Sequence, residues 1–351
     1  MDLESVKKHI PNELISLETE IQSRIKTKVE LINTLSQHIL SGGGKRLRPT
    51  VLFLAHKACL GSDKNNKNDS LDLLLKDKRK QMNKFTKRRK LIEAGVVVEF
   101  IHAATLLHDD VVDQSKIRHG EKTANDIWGN QGAVLVGDFL YSRAFEIIVE
   151  INNPRVYEVL AHTTNVISQG EVLQLMNLNN VNIKENTYLE IIFRKTAKLF
   201  ETSAEIGSIL AGDNPEQSAA LKEFGRHFGM AYQLKNDLLD YFGNEKITGK
   251  NLTEDFSEGK LTLPLIHAIK VSSNTEKSLI KTALKKNDLN KVQDIIQILE
   301  KNKIKDYIQS KIVQETTDAI HHLKMLDKWP GNSIYKEDLV KLAEYCSDRE
   351  K

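Results

Sequence analysis

Proline is scarce, with six in 351 residues, and between Pro49 and Pro264 there are only Pro154 and Pro215. Few places therefore force a helix to stop, and long helices are open to the chain almost throughout. Cysteine is scarcer still. Cys59 and Cys346 are too few and too far apart for a disulfide framework or thiolate cluster, which fits a reducing compartment. Neither sign of charge dominates, since 51 basic residues meet 48 acidic ones, and bulk attraction to nucleic acid is not expected. No run reaches the roughly 18 apolar residues of a membrane span, and Met1 to Ser5 lacks a basic-then-apolar signal pattern. A cytoplasmic protein is expected.

Hydrophobic residues make up 40% of the chain, ample for a buried core. Their spacing is helical: Val96, Val97, Phe100, Ala103, Ala104 and Leu107 recur at three and four, and Ile191, Ile192, Lys195, Leu199 and Ile206 follow the same rhythm. The fold class is all-α. The pattern predicts two helices within residues 1–40, one from Thr50, one from Ile92 to Val112, others near 131–150, 154–176, 185–212 and 216–243, and a turn at Gly120. From Ser62 to Lys90 eight Lys and three Arg meet four Asp, a local charge of +7 without extended amphipathic period. That stretch, 62–90, reads as a basic, flexible insertion with one short helix, inside a single domain spanning 1–351. It carries no recognisable nucleic-acid motif.

Acidic groups interrupt the apolar helix at Leu106-Leu107-His108-Asp109-Asp110-Val111-Val112-Asp113. Asp109 and Asp113 are four apart, so both carboxylates leave one helix face about a turn apart. Beside apolar neighbours their repulsion is relieved most simply by a shared cation, and hard oxygen donors suit Mg²⁺. A lone pair at this spacing more often marks a solvated face. A second acidic helix end shifts the balance: Asn236, Asp237 and Asp240 follow Gln233 and share a face at three- and four-residue spacing. Two such ends facing across a cavity hold Mg²⁺ around a diphosphate, whose departure the positive charge assists.

Basic residues accompany both ends. Ser41-Gly42-Gly43-Gly44 breaks the second helix, and Lys45 and Arg48 then stand beside a helix start at Pro49, where free N–H groups favour anions. Arg118, Lys195, Lys250 and Lys260 lie in or beside the other motif-bearing segments, and Arg and Lys are phosphate-binding residues. Each singly reads as a surface residue; together they point to two anionic substrates brought to one metal cage.

In order, Gly43-Gly44-Lys45-Arg46-Leu47-Arg48-Pro49, Asp109-Asp110-Val111-Val112-Asp113, Val136-Gly137-Asp138, Gly170-Glu171, Lys195-Thr196-Ala197, Gln233-Leu234-Lys235-Asn236-Asp237 and Gly259-Lys260 resemble the motif series of trans-prenyl diphosphate synthases. Thr123-Ala124-Asn125 and the run from Gly170 to Met176 resemble bacterial octaprenyl diphosphate synthases in particular. The resemblance implies an isoprenoid-synthase-type bundle of mostly antiparallel helices around a deep central cavity, a homodimer, and a Mg²⁺ cofactor of two or three ions. It assigns Asp109 and Asp113 to the metal on the allylic diphosphate, with Asp237 and Asp240 on the opposite wall. Lys45, Arg48 and His102 match the isopentenyl diphosphate site. Arg118, Lys195, Thr196, Gln233 and Lys260 match contacts to the allylic substrate or its cation, and Lys250 joins the substrate-binding set. The chain departs from the family at Asn236, where Asp is usual, at Lys235, where an apolar residue is common, and at His119, where an Arg pair is usual. The His119 contact weakens as the imidazole loses its proton near neutral pH.

The implied reaction is ionisation of an allylic diphosphate, farnesyl diphosphate as primer, then attack by isopentenyl diphosphate and loss of a proton. Dipoles of the Thr196 hydroxyl and Gln233 carbonyl steady the cation, and water is kept out. Ala104 and Thr105 lie about a turn before Asp109; small side chains there leave room for growth to an octaprenyl product of about forty carbons. Such a chain suits a quinone side group and is released through a peripheral membrane contact. Two other readings remain at this point. One is a non-catalytic, substrate-binding subunit of a heteromeric synthase, motivated by Asn236 and His119. The other is a terpene cyclase, which has no use for Lys45, Arg48 and His102.

Overall fold

The computed structural model describes residues 3–41, 44–60, 72–118, 120–243, 254–329 and 333–349, without the side chains of 72–84 and Glu254. Gly42, Gly43, His119, Lys250 and residues 61–71 of the basic segment lie outside the described residues. The first helices are α1 (Leu3–Lys7), α2 (Pro11–Arg24), α3 (Glu30–Ser41) and α4 (Leu47–Cys59). Then comes α5 (Asp72–Val112), a two-residue antiparallel pair β1 (Ile117–Arg118) and β2 (Glu121–Lys122), and α6 (Ala124–Ile151). Next are α7 (Pro154–Leu175), α8 (Glu185–Ile192), a π-helical turn at Phe193–Ala197, α9 (Lys198–Ala211) and α10 (Pro215–Phe242). The chain ends with α11 (Glu254–Ser257), α12 (Leu263–Val271), α13 (Asn274–Lys286), α14 (Val292–Lys301), α15 (Ile304–Lys324) and α16 (Ser333–Asp348).

Local chemistry sets the boundaries. Three of the few prolines, Pro11, Pro154 and Pro215, begin helices, where their missing N–H is not needed. Asn153 and Asn214 precede two of them and accept hydrogen bonds from the next backbone N–H groups. Pro11 also explains why residues 1–40 hold three helices rather than the two expected. Gly120, at φ 82°, turns the β1–β2 pair, and Gly129 kinks α6 so that its regular part begins near 131, as the sequence pattern indicates.

The reading of 62–90 needs correction where it is described. Residues 72–90 are not loop around one short helix; they are the first half of α5, continuous with Ile92–Val112. The stretch contains Leu, Lys, Arg and Gln but neither Pro nor Gly, so helix formers prevail although the apolar period is missing.

The second half of α5, from Leu91, and α9 are buried on nearly all sides and form the axis of the bundle. In α5, Val96, Val97, Val98, Phe100, Ile101, Ala104 and Leu107 are fully buried, and in α9 every residue from Lys198 to Ile209 is buried. By length and composition Phe85–Val112 could cross a bilayer, with mean hydropathy 1.5, but 78% of that window is buried within the fold. Around the axis, α6 lies along α5, α4 and α10 flank α9, α15 packs on α10, and α16 closes over α4. The two acidic helix ends thus belong to the two sides of one core.

Between α4 and α9, His56 is 8% exposed and its Nδ1 lies 3.2 Å from the Gly207 carbonyl, so the N–H donates to it. Burial pulls its pKa from 6.5 down to about 4, with the Gly207 bond opposing and the charge of Lys57 adding to the fall. The unfolded chain therefore takes up a proton between about pH 6.5 and 4 that the folded chain refuses. Stability contributed above pH 6.5 is lost as pH falls through this window, by up to about 3 kcal/mol. Urea midpoints measured from pH 7.5 down to 4.5 should fall less steeply in His56→Gln than in the wild type. Parallel slopes would remove His56 as the cause.

Candidate active site

The turn Phe193–Ala197 sits where α7 and α10 come closest to it. A Cβ on Gly170 of α7 would lie 2.7 Å from Arg194 Cβ and 2.9 Å from Lys195 N, and one on Gly229 of α10 would lie 2.5 Å from Ala197 Cα. Only glycine permits that approach. The extra residue of the π turn re-aims Lys195, which the 3.6-residue rhythm places among apolar positions, and Thr196 beside it.

Both project into a cavity of about 130 Å³. Its polar lining includes Lys195, Thr196, Gln233, Asp237, Asp255 and Lys260, and its apolar wall is formed by Leu178, Ile183, Ile191, Ile192 and Leu261. Lys195 reaches Glu171 at 2.5 Å and Asp109 at 3.2 Å. Lys260 reaches Asp113 at 2.6 Å and Glu258 at 2.7 Å. The lysines thus join the first acidic motif to the cavity that holds the second. Burial disfavours both charges, but the surrounding carboxylates outweigh it and raise both pKa values, so both stay cationic.

Thr196 Oγ1 donates to Gln233 Oε1 at 3.1 Å, and Gln233 Nε2 donates to Asp237 Oδ1 at 2.7 Å. Tyr188 donates its phenolic hydrogen to the other Asp237 oxygen. This relay fixes the glutamine amide and leaves Asp237 at 1% exposure. Burial, then repulsion from Asp255, drives its pKa well above the carboxylate range, against the two hydrogen bonds. Asp240 Oδ2 accepts from the Asp255 backbone N–H at 3.3 Å. Asp237 and Asp255 line the cavity, and Asp109 and Asp113 are tied to it through Lys195 and Lys260. Carboxylate oxygens suit hard divalent cations, and a buried, repelled carboxylate such as Asp237 is what such a cation would relieve.

A second cluster lies where α16 meets α4, α9 and α10. Arg48 lies over the Phe200 ring at 4.6 Å, Phe200 and Tyr232 rings are 5.4 Å apart, and Arg349 lies over Tyr232 at 4.1 Å. Lys45 lies 5.9 Å from the Tyr345 ring. The Nε atoms of Arg48 and Arg349 are buried with no hydrogen-bond partner among the described residues. Burial also lowers the Arg48 pKa, opposed by the charge of Glu99. Arg349 donates to the Tyr232 carbonyl at 3.0 Å and to Asn236 Oδ1. The amide at Asn236 therefore serves the C-terminal arginine.

Not every expected residue joins these groups. Arg118 donates from Nε and Nη2 to Asp110 Oδ1 at 3.0 and 2.7 Å, so it already has a carboxylate partner beside the first motif. His102 is half-buried on α5, and its carbonyl accepts from Thr105 Oγ1 at 2.8 Å. Ala104 is fully buried, and neither it nor Thr105 lines the cavity, whose apolar wall comes from α8 and its flanks. Sequence reasoning assigned no role to Glu171, Tyr188, Asp255 or Arg349. Asp255 stands five residues before Lys260 in a polar loop and was open to suspicion; Tyr188 and Arg349 carry no local signal.

A family model described as Polyprenyl synthetase matches residues 29–301. Octaprenyl diphosphate synthase of Escherichia coli is 36% identical, over all of both chains. An all-trans-nonaprenyl-diphosphate synthase of Rhodobacter capsulatus, described as geranyl-diphosphate specific, is also 36% identical, over 97% of this chain and 96% of its own. Among solved structures, a polyprenyl synthase from Caulobacter crescentus complexed with calcium and isoprenyl diphosphate superposes with a TM-score of 0.87 at 35% identity, covering 100% of this chain and 98% of that one. With a family model matched over residues 29–301 and full-length kinship of this degree, the chain belongs to the polyprenyl synthetase family.

Proposed function

We propose that this protein lengthens farnesyl diphosphate by repeated condensation with isopentenyl diphosphate, as a cytoplasmic homodimer of single-domain subunits that release an octaprenyl chain to a membrane. Its family and its kinship with octaprenyl diphosphate synthases make it a trans-prenyltransferase forming long-chain polyprenyl diphosphates. The observation that carries the reading of the site is the pairing of Lys195 and Lys260, inside the Asp237 cavity, with Asp109 and Asp113. Exposed apolar side chains along α6 and α7, among them Leu135, Phe145, Val149, Val172 and Met176, support a subunit interface there.

In each turnover the allylic carbon–oxygen bond breaks, a carbon–carbon bond forms to the isopentenyl unit and a proton leaves. The products are diphosphate, H⁺ and an allylic diphosphate one isoprene unit longer. Asp109, Asp113, Asp237 and Asp240 would hold two or three Mg²⁺ ions, whose positive charge would assist departure of the diphosphate. Lys195 and Lys260 turn from the carboxylates to the phosphate oxygens, and Arg118 adds a forked donor at the price of sharing Asp110. The Thr196–Gln233 relay holds oxygen dipoles near the allylic carbons, while Ile183, Ile191 and Ile192 exclude water. Isopentenyl diphosphate docks against Lys45, Arg48 and Arg349, with His102 in support, and its charge answers two buried guanidinium groups that lack a full set of partners.

Purified protein given farnesyl and isopentenyl diphosphates with Mg²⁺ should yield octaprenyl diphosphate without a second subunit. Products ending at fifteen or twenty carbons, or none, would overturn the reading. Ala104→Phe should shorten the product; an unchanged distribution would route the growing chain along α8 instead. Arg349→Ala should raise KM for isopentenyl diphosphate about 10- to 100-fold, the loss of one charge-assisted contact, and leave KM for the allylic primer nearly unchanged, with partial recovery in Arg349→Lys. Equal rises in both constants would mean that Arg349 acts only by holding α16 in place.

A further inference from the structure

Outside the cleft, α10 and α15 bring together a different set of donors. Glu223 and His227, four apart on α10, share one helix face, and His322 faces them from the end of α15. One ligand atom from each lies within 4.8 Å of the others, and all three side chains are half-buried. The His227 and His322 rings stack at 5.5 Å with 11° between planes. Glu315 Oε2 lies 2.7 Å from His227 Nδ1, which fixes that nitrogen as donor and leaves Nε2 as the ligand nitrogen.

We propose that Glu223, His227 and His322 form a transition-metal site, selective for Zn²⁺ over Mg²⁺, that clips α10 to α15. Two imidazoles and one carboxylate suit a borderline ion, whereas Mg²⁺ demands oxygen donors in an octahedron. Three protein ligands leave a fourth tetrahedral position to water. Tetrahedral donors stand about 3.3 Å apart, so the side chains need close by no more than about 1.5 Å, within reach of χ rotation at partly exposed positions. The Arg226–Glu223 pair, 3.7 Å apart with an exposed arginine and a half-buried glutamate, is weak and yields to the ion. Glu315 behind His227 supplies the outer carboxylate that orients a metal-bound imidazole. His227 precedes Gln233 by six residues and Asp237 by ten, about 9 and 15 Å along the helix, so this site and the aspartate cleft hold separate ions.

The test uses the full chain, stripped with chelator, saturated with Mg²⁺ and dialysed against Zn²⁺ alone, with metal counted by mass spectrometry. One Zn²⁺ per chain should be retained, and the thermal midpoint should rise by several degrees. His322→Ala and the more conservative His322→Gln should lose the ion, while Glu315→Gln should keep the stoichiometry and weaken the affinity about 10- to 100-fold. Prenyl transfer with Mg²⁺ alone should be unchanged in the His322 variants, which also shows that they are folded. Absence of retained Zn²⁺ in the wild type, or equal retention in the folded His322 variants, overturns the proposal.

Discussion

The cleft depends on how closely α7 and α10 approach the π turn at Phe193–Ala197. Gly170 and Gly229 remove the two side chains that would hold the helices apart, and the turn drops into the space between them. An α-helix continued through this point would carry Lys195 and Thr196 round by another register, because a π turn adds a residue that a 3.6-residue rhythm cannot absorb. Seated as it is, the turn points the lysine at Asp109 and the threonine at Gln233 in successive residues. The distance between the acidic helix ends is then set by backbone packing. Side-chain choice has little part in it.

Electrostatics follow from that geometry. Asp237 and Asp255 line the same cavity, and burial together with the charge of Asp255 raises the cost of ionising Asp237. Lys195 and Lys260 answer the first motif directly, but Asp237 is left with neutral donors, Tyr188 and Gln233, and keeps a raised pKa. The unequal treatment has a physical consequence. The first motif is paired with two ammonium groups, whereas Asp237 is the carboxylate that a cation taking the place of its proton would relieve most.

The all-helical class, the acidic faces and the basic residues beside them were legible because each leaves a local trace: proline scarcity, three- and four-residue spacing, glycine before Lys45. The start of α5 leaves no periodic trace, because residues 72–90 owe their helix to propensity rather than to an apolar face. The π turn was invisible because its cause lies in Gly170 and Gly229, far away in sequence. Tyr188 carries no local signal, since only the fold shows its hydroxyl meeting Asp237. Arg349 had no signal at all. Its meaning comes from α16 crossing α4 and α10, a long-range placement that spacing within a segment does not encode.

That placement also gives Asn236 a physical reason. A guanidinium at 6% exposure beside Tyr232 needs acceptors, and the Tyr232 carbonyl and the Asn236 amide oxygen supply two. An aspartate at 236 would accept the same hydrogen bond but would also neutralise the arginine, forming a closed buried pair whose charge is no longer felt by a neighbouring anion. The amide satisfies geometry and leaves the charge standing. Arg349 therefore retains a net positive field next to Arg48 and Lys45, while tying the helix that carries Asp237 and Asp240 to the C-terminal helix. An amide in place of a carboxylate at 236 thus holds Arg349 by a hydrogen bond without pairing its charge.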